Sequence, residues 1–100
     1  MAGPMFEDFE WDSRKRDANL LKHGIDFEEA MLLFRGPVHV RRARPGDDGE
    51  ERHMAVGILG VRPITVIFTK RGDVCRLISA RRARDSERRA YREAFPAESP

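Results

Sequence analysis

The sequence predicts a small α+β domain in which helices pack on a mostly antiparallel sheet. Its 100 residues suffice for one modest hydrophobic core. Apolar residues follow helical spacing over residues 13–34 and then alternate or run continuously, as in strands, over residues 38–80. The predicted element order is β-α-α-β-β-β-β-α. We expect one domain over residues 1–100, with a core over about 9–95 and flexible ends at 1–8 and 96–100.

The first third predicts a short strand and a helical hairpin. Residues 6–11, "FEDFEW", alternate aromatic and acidic side chains, which indicates a strand. Asp12, or the serine after it, can cap a first helix over 13–23 that ends at Gly24. The capping-box spacing of Asp26 and Glu29 opens a second helix, which the following Gly-Pro pair closes.

The remaining two thirds predict four strands and a closing helix. The strands are predicted at 38–40, 52–59, 64–69 and 74–80, with a final helix over 86–95 capped by Asp85. Between the first two strands, "RPGDDGEE" is typical of an exposed hairpin loop. In the second strand Met54, Val56 and Ile58 share one face. The third strand, "ITVIFT", is apolar on both faces, which predicts a central strand covered on both sides.

The net charge of +2 hides an asymmetry along the chain. Residues 1–34 carry four basic and eight acidic groups, whereas residues 35–100 carry fifteen and nine. Over residues 70–92 the ratio is nine to three. Such a basic patch is expected of a protein that binds phosphate backbones. Pairing with the acidic first third, or covering of apolar surface by arginine stems, explains the charge equally well.

Composition also argues against several classes of protein and site. No apolar run approaches the roughly 20 residues of a membrane span, and the acidic start does not resemble a secretion signal, so we expect a cytoplasmic protein without a membrane partner. Cys75 is the only cysteine, and its strand pattern predicts an inert buried thiol. His23, His39 and His53 lack helical i, i+4 pairing, and carboxylates do not cluster, so we expect no metal and no cofactor.

Five segments together resemble the BrnT toxins of bacterial type II toxin–antitoxin systems: "FEWD", "NLLKHGIDFEEAMLLF", "ERHMAVGI", "ITVIFT" and "RLISARRARDSERRAY". The resemblance covers about residues 9–92. It implies a RelE-like fold and a ribonuclease, a hydrolase that arrests translation. It also implies a cognate BrnA antitoxin that inactivates the toxin in a heterotetramer of two toxins and two antitoxins. Operator DNA is then bound only through the antitoxin, and the complex represses its own operon.

Metal-independent RNA cleavage needs a base for the 2′-hydroxyl, an acid for the leaving oxygen, and cations around the reacting phosphate. Arg81 and Arg82 leave the last strand just before the final helix, and we predict that both contact one phosphate. Lys22 and His23 are the candidates for proton transfer. The alternative for this pair is an interaction with the last carbonyl groups of the first helix, which favour positive charge.

Further side chains are predicted to extend the RNA-binding surface: Arg52, Arg62, Lys70, Arg76, Arg88, Arg92 and Tyr91. Arg88 and Arg92 share a helix face and repel each other, which calls for an anionic partner. Tyr91 can stack on a base, but its i, i+4 relation to Phe95 favours packing. For Trp11, packing is likewise favoured over stacking, and for Glu87 interaction with the helix dipole is favoured over a role as base.

Two alternatives belong to other functional classes. Residues 13–34 could be read as a DNA-binding helix-turn-helix, but "DFEEAMLLF" is acidic and apolar where a recognition helix needs Arg, Lys, Asn or Gln. The second alternative is a non-catalytic basic module that docks an acidic partner or nucleic acid. Cleavage of single-stranded RNA in EDTA distinguishes the ribonuclease from both.

Overall fold

A computed structural model describes residues 5–96; of the ends expected to be flexible, 1–8 and 96–100, residues 1–4 and 97–100 lie outside the described part. The elements in chain order are β1 (Asp8–Glu10), α1 (Ser13–His23), α2 (Phe27–Ala30) continued by a 3₁₀ helix (Met31–Arg35), β2 (His39–Arg42), β3 (His53–Leu59), β4 (Arg62–Arg71), β5 (Val74–Arg82) and α3 (Asp85–Ala94). The predicted α+β class with a mostly antiparallel sheet is confirmed. None of the described helices has the length and apolarity that a membrane crossing requires.

The five strands form one sheet in the order β1-β5-β4-β3-β2. Three antiparallel hairpin pairings connect β2 through β5. The first strand instead pairs parallel to β5, with Phe9 opposite Cys75. Parallel neighbours cannot be joined by a tight turn, and here residues 11–73 lie between the two paired strands. β5 therefore lies inside the sheet, although it is the last strand in the sequence.

Helix α1 has the bounds that the sequence predicts. The side chain of Asp12 accepts two backbone N–H groups of the first turn, at 2.8 and 3.3 Å, and Gly24 ends the helix in the left-handed conformation at φ 70°. Asn19 is buried and attaches the helix to β5: its amide donates to the carbonyl of Ile25 at 2.9 Å and accepts from the backbone N–H of Ala80 at 3.0 Å. The helix thus covers the edge of β5 beyond β1.

The second helix differs from the prediction, because a single α-helical turn tightens into 3₁₀ geometry at Met31. Asp26 caps it through the backbone N–H of Glu28, while Arg16 donates to the Asp26 carboxylate at 2.7 Å. Phe27 is fully buried. In the helix-turn-helix alternative, α2 would be the recognition helix. A single α-helical turn that packs its apolar side chains into the core cannot enter a DNA groove, so residues 13–34 do not form a helix-turn-helix.

The hydrophobic core lies between this helical segment and one face of the sheet. Phe34 and Phe68 meet edge to face at 5.3 Å, and Phe6 packs against both at 5.6 and 5.5 Å. Because Phe6 is 8% exposed, packing begins before residue 9 and includes part of the segment expected to be flexible. Trp11 contacts the ring of Phe27 at 6.0 Å, in agreement with its predicted packing role.

The opposite face of the sheet is covered only in part. Helix α3 lies over β2 and β3 on this face, where the hydroxyl of Thr65 donates to Glu87. Ile67 is only half-buried there, so the prediction that this strand is covered along both faces is wrong at its middle. The N-cap of α3 is Arg84 rather than the predicted Asp85, because Glu87 accepts the backbone N–H of Arg84.

Candidate active site

An open cleft of about 370 Å³ occupies the sheet face that α3 leaves uncovered. Its floor is apolar and includes Met54, Ile67 and Ile78. Its rim is formed by the β2–β3 loop on one side and the start of α3 on the other. We call it the arginine cleft because four arginines line it: Arg44, Arg52, Arg81 and Arg84. Asp47 is the acidic residue of the lining.

Strand alternation explains why these residues meet. Successive side chains of a strand point to opposite faces, so positions two apart share a face. Arg52 and Met54 share the cleft face at the start of β3. Ser79 and Arg81 share it on β5, where Arg81 is paired with Thr65 of β4. Five of the lining residues lie on strands, where side chains are held more rigidly than on loops, and most of the others belong to the β2–β3 loop.

Arg81 and Glu87 form a buried ion pair at the α3 end of the cleft. The Arg81 guanidinium donates to both carboxylate oxygens of Glu87, at 2.8 and 2.9 Å. The Thr65 hydroxyl at 2.9 Å and the Arg84 backbone N–H at 2.8 Å also donate to Glu87 Oε1. The two side chains are 18% and 4% exposed. This network joins β4, β5 and α3 and determines the direction of the Arg81 side chain.

The charge state of the pair follows from the same contacts. Burial alone raises the pKa of Glu87, but the hydrogen bonds from Arg81, Arg84 and Thr65 outweigh it and lower the pKa to about 2. Its carboxylate in turn raises the pKa of Arg81. Both groups are therefore charged at neutral pH. The Glu87 carboxylate is ionised and accepts hydrogen bonds from all of these donors, so it is a poor general base. Besides its predicted interaction with the helix dipole, it holds the Arg81 side chain in place.

Arg52 is held differently from Arg81. No carboxylate among residues 5–96 forms an ion pair with it, and its Nε is buried without a hydrogen-bond partner there. Gly46 of the β2–β3 loop lies directly against its guanidinium. A desolvated cationic donor without an acceptor has a strong preference for an anionic oxygen.

Lys22 and His23 lie next to the arginine cleft but not inside it. Both are exposed at the end of α1, where they line a shallow depression of about 290 Å³. Ile78 and Ser79 line the depression as well as the cleft, so the two concave surfaces adjoin along β5. A nucleic acid strand lying across this part of β5 would touch both.

The structure does not bring Arg82 to the arginine cleft. Arg82 is paired with Ile64 of the buried core face, whereas its neighbour Arg81 is on the opposite face of the same strand. Adjacent strand residues cannot both reach one phosphate from the same side of a sheet. Arg62 is also remote from the cleft, since it lies 3.9 Å from Glu29 of the helical segment.

The remaining predicted RNA-binding residues are spread over the molecule. Lys70 lies at the end of β4, before the β4–β5 turn. It lines a depression together with Glu7 and Asp8, the acidic residues just before and at the start of β1. Arg76 donates to Glu10 at 2.7 Å. On α3, Arg88 pairs with Asp85, and Arg92 is exposed. The ring of Tyr91 packs on Phe95 at 5.1 Å, as its spacing suggested.

Sequence reasoning did not identify Arg44, Gly46 or Arg84 as site residues, although all three line the cleft. The composition of residues 43–50 is typical of an exposed loop and contains no signal that this loop folds back toward the sheet. The sequence does contain one signal for Arg84: Glu87 follows it by three residues, which is the spacing at which a carboxylate caps a helix start. No group of three or more metal-ligating side chains comes together within residues 5–96.

Comparison with known proteins identifies a family and a solved structure that this chain resembles. The family model described as the ribonuclease toxin BrnT of type II toxin–antitoxin systems matches residues 11–87. The crystal structure of the Brucella abortus ribonuclease toxin BrnT superposes with a TM-score of 0.59 and 31% sequence identity, covering 79% of this chain and 100% of that one. A search of curated proteins found no significant match.

Proposed function

Because this chain belongs to the BrnT family of ribonuclease toxins of type II toxin–antitoxin systems, we propose that it cleaves RNA in the arginine cleft without a metal ion. The reaction is attack of the ribose 2′-hydroxyl on the adjacent phosphate, and its product is a 2′,3′-cyclic phosphate. The observation that carries the proposal is the set of four arginines around an apolar floor on an open sheet face. We include the RelE-like classification of the fold in the same proposal.

The cleft supplies the two kinds of contact that single-stranded RNA needs. Bases stack on apolar surface, and the floor around Met54 and Ile67 offers it. Phosphates need fixed cations, and arginine retains its charge at any physiological pH. We assign phosphate contacts to Arg52 and Arg84. Arg81, which Glu87 holds in one direction, stabilises the charge that develops on the reacting phosphate.

Proton transfer is assigned to the end of α1. His23 supplies an imidazole, the side chain that most often serves as a general base. Lys22 adds a second cation on the same depression. Both are accessible, and the depression adjoins the arginine cleft along Ile78 and Ser79, so an RNA bound in the cleft and continuing across β5 reaches them.

Cleavage of cytoplasmic messages arrests translation, and a BrnA-type antitoxin neutralises the toxin. We propose a heterotetramer of two toxins and two antitoxins, in which only the antitoxin contacts operator DNA and the complex represses its own operon. A basic cleft without its substrate attracts an acidic protein segment by the same electrostatics that attract RNA. Copurification with the product of an adjacent gene that also restores growth would support this part of the proposal.

The direct experiment incubates purified, antitoxin-free protein with single-stranded RNA in EDTA. We expect fragments that end in 2′,3′-cyclic phosphate. Arg52→Ala is expected to raise KM about tenfold with little change in kcat, because it removes a phosphate contact made in the bound substrate as well as in the transition state. Arg35→Ala is the matched control, because Arg35 is an exposed arginine on the 3₁₀ helix, away from the cleft.

Arg82→Ala separates two interpretations of the arginine pair. If Arg82 acts with Arg81, as the sequence predicted, its loss abolishes cleavage. If the arginine cleft is the active site, cleavage persists, because Arg82 is on the other face of the sheet. Intact RNA in the presence of well-folded wild-type protein would instead favour the non-catalytic basic module.

A further inference from the structure

We propose that Gly46 is a positioning residue for Arg52: the missing Cβ leaves the space in which the Arg52 guanidinium rests, so that its terminal Nη groups are directed to an RNA phosphate. The inference rests on the proposed function for its substrate class and adds a part of the site that lies outside the sheet. It makes the β2–β3 loop a support for substrate binding rather than an exposed connection.

Gly46 lies against the flat face of the Arg52 guanidinium, with no room for a side chain between them. A Cβ placed on Gly46 would lie 2.9 Å from Nη2, 3.0 Å from Cζ and 3.1 Å from Nε of Arg52. Three atoms of the planar guanidinium at nearly equal distance mean that its plane lies across this position. Carbon atoms in proteins do not approach non-bonded neighbours so closely, because optimal separations are about 3.5–4.0 Å. Any side chain at position 46 therefore displaces the guanidinium.

The backbone conformation does not by itself require glycine at this position. The glycines of the described chain with positive φ are Gly24, Gly49, Gly60 and Gly72. Alanine could therefore adopt the conformation of residue 46 without left-handed strain. The need for glycine at 46 comes from Arg52 alone.

The loop is too well bonded to yield to an added methyl group. Gly46 donates its N–H to the carbonyl of Glu50 and accepts the N–H of Gly49, both at 2.9 Å. The carbonyl of Arg52 accepts the N–H of Ala43 at 2.9 Å. With both backbones fixed, the flexible arginine side chain is the part that moves.

The chemistry of Arg52 identifies what it binds. Its Nε is buried and unpartnered within the described residues, whereas Arg81 in the same cleft has its donors occupied by Glu87. An arginine whose donors are aligned and unused forms two parallel bonds to phosphate oxygens. Arg52 is thus, unlike Arg81, a cleft arginine whose guanidinium remains available for a phosphodiester, and Gly46 sets its position.

The test is a double-mutant cycle between Gly46→Ala and Arg52→Ala. The probe is a short 2′-O-methyl RNA of mixed sequence, which binds but cannot be cleaved because its 2′-oxygen is blocked. We expect each single variant to weaken binding about tenfold, the effect of losing one charge-assisted hydrogen bond. In the Arg52→Ala background, Gly46→Ala should have no further effect, because interacting residues are not additive. Gly36→Ala is the matched control, since a Cβ there meets nothing within 4 Å.

A second measurement does not depend on the glycine variant folding. Binding of the Arg52→Ala variant should depend less steeply on salt. The slope of log K against log salt concentration should be smaller in magnitude by about 0.7, which is the contribution of one phosphate contact on a single strand. Equal weakening by Gly46→Ala with and without Arg52, or wild-type binding by Arg52→Ala, would overturn the inference. If wild-type protein binds this RNA with the expected coupling but cleaves no RNA, the ribonuclease mechanism fails while the positioning role stands.

Discussion

Replacing Glu87 with glutamine tests the buried network under α3 most directly. Gln keeps an oxygen that accepts from Thr65 and from the backbone N–H of Arg84, but it loses the charge opposite Arg81 and replaces Oε2, which accepts from Arg81, with an NH2 group that cannot accept. A pKa lowered from 4.5 to about 2 corresponds to about 3 kcal/mol at 1.36 kcal/mol per pH unit. The side chain is 4% exposed, so solvent screens this energy little. Glu87→Gln should therefore lower the free energy of unfolding at pH 7 by about 3 kcal/mol.

The sign of the pH dependence follows from the lowered pKa. A carboxylate with a depressed pKa contributes stability above its ordinary pKa, and this contribution is lost as the pH falls from about 4.5 toward 2. Urea unfolding of both proteins at pH 7, 5 and 3 measures it, because all other carboxyl groups titrate alike in both. We expect the difference to shrink by over half at pH 3. A constant difference over this range would refute the reasoning. Glu93→Gln, on the exposed part of α3, is the matched control and should change stability by less than about 0.5 kcal/mol.

Three further predictions concern other parts of the fold. Asn19→Ala should lower the free energy of unfolding in urea by about 1–3 kcal/mol, because the buried N–H of Ala80 loses its acceptor; an unchanged value would mean that the amide contributes nothing. Arg16→Gln should raise the pKa of Asp26 from about 2 toward its ordinary 3.8, followed by NMR titration of the carboxyl group; an unmoved pKa would contradict the ion pair. Burial raises the pKa of Cys75 to about 12, so a thiol reagent at pH 8 should modify it only as fast as the protein unfolds, and rapid labelling of native protein would count against this.

Local signals in the sequence were sufficient for the elements whose ends are determined locally. Helix α1 begins after Asp12 and ends at Gly24 because the capping side chain and the left-handed glycine are both part of the adjacent sequence. The prediction for α2 was too long, because 3₁₀ tightening at Met31 depends on packing against the sheet rather than on capping residues. The pairing of β1 with β5 left no local signal, since it connects the two ends of the fold.

The candidate site, like the fold, was predictable from the sequence only in part. Arg81 and Arg52 were identified from charge and strand position, and both line the cleft. Strand alternation alone could have separated Arg81 from Arg82, because adjacent residues of a strand face opposite ways. The proximity of Gly46 to Arg52 could not be inferred from sequence, because it depends on how the β2–β3 loop folds over the sheet.

The parallel pairing of β1 with β5 has a consequence for synthesis of the chain. Arg76 on β5 donates to Glu10, a residue 66 positions earlier, and the backbone N–H of Ala80 donates to the buried side chain of Asn19 on α1. The N-terminal strand and helix emerge from the ribosome first, yet they cannot take their final places until β5 has been translated. Contacts between distant residues also slow folding. Arg84 and Glu87 are made later still, so a nascent chain has neither a complete sheet nor a complete cleft until Glu87 has been translated.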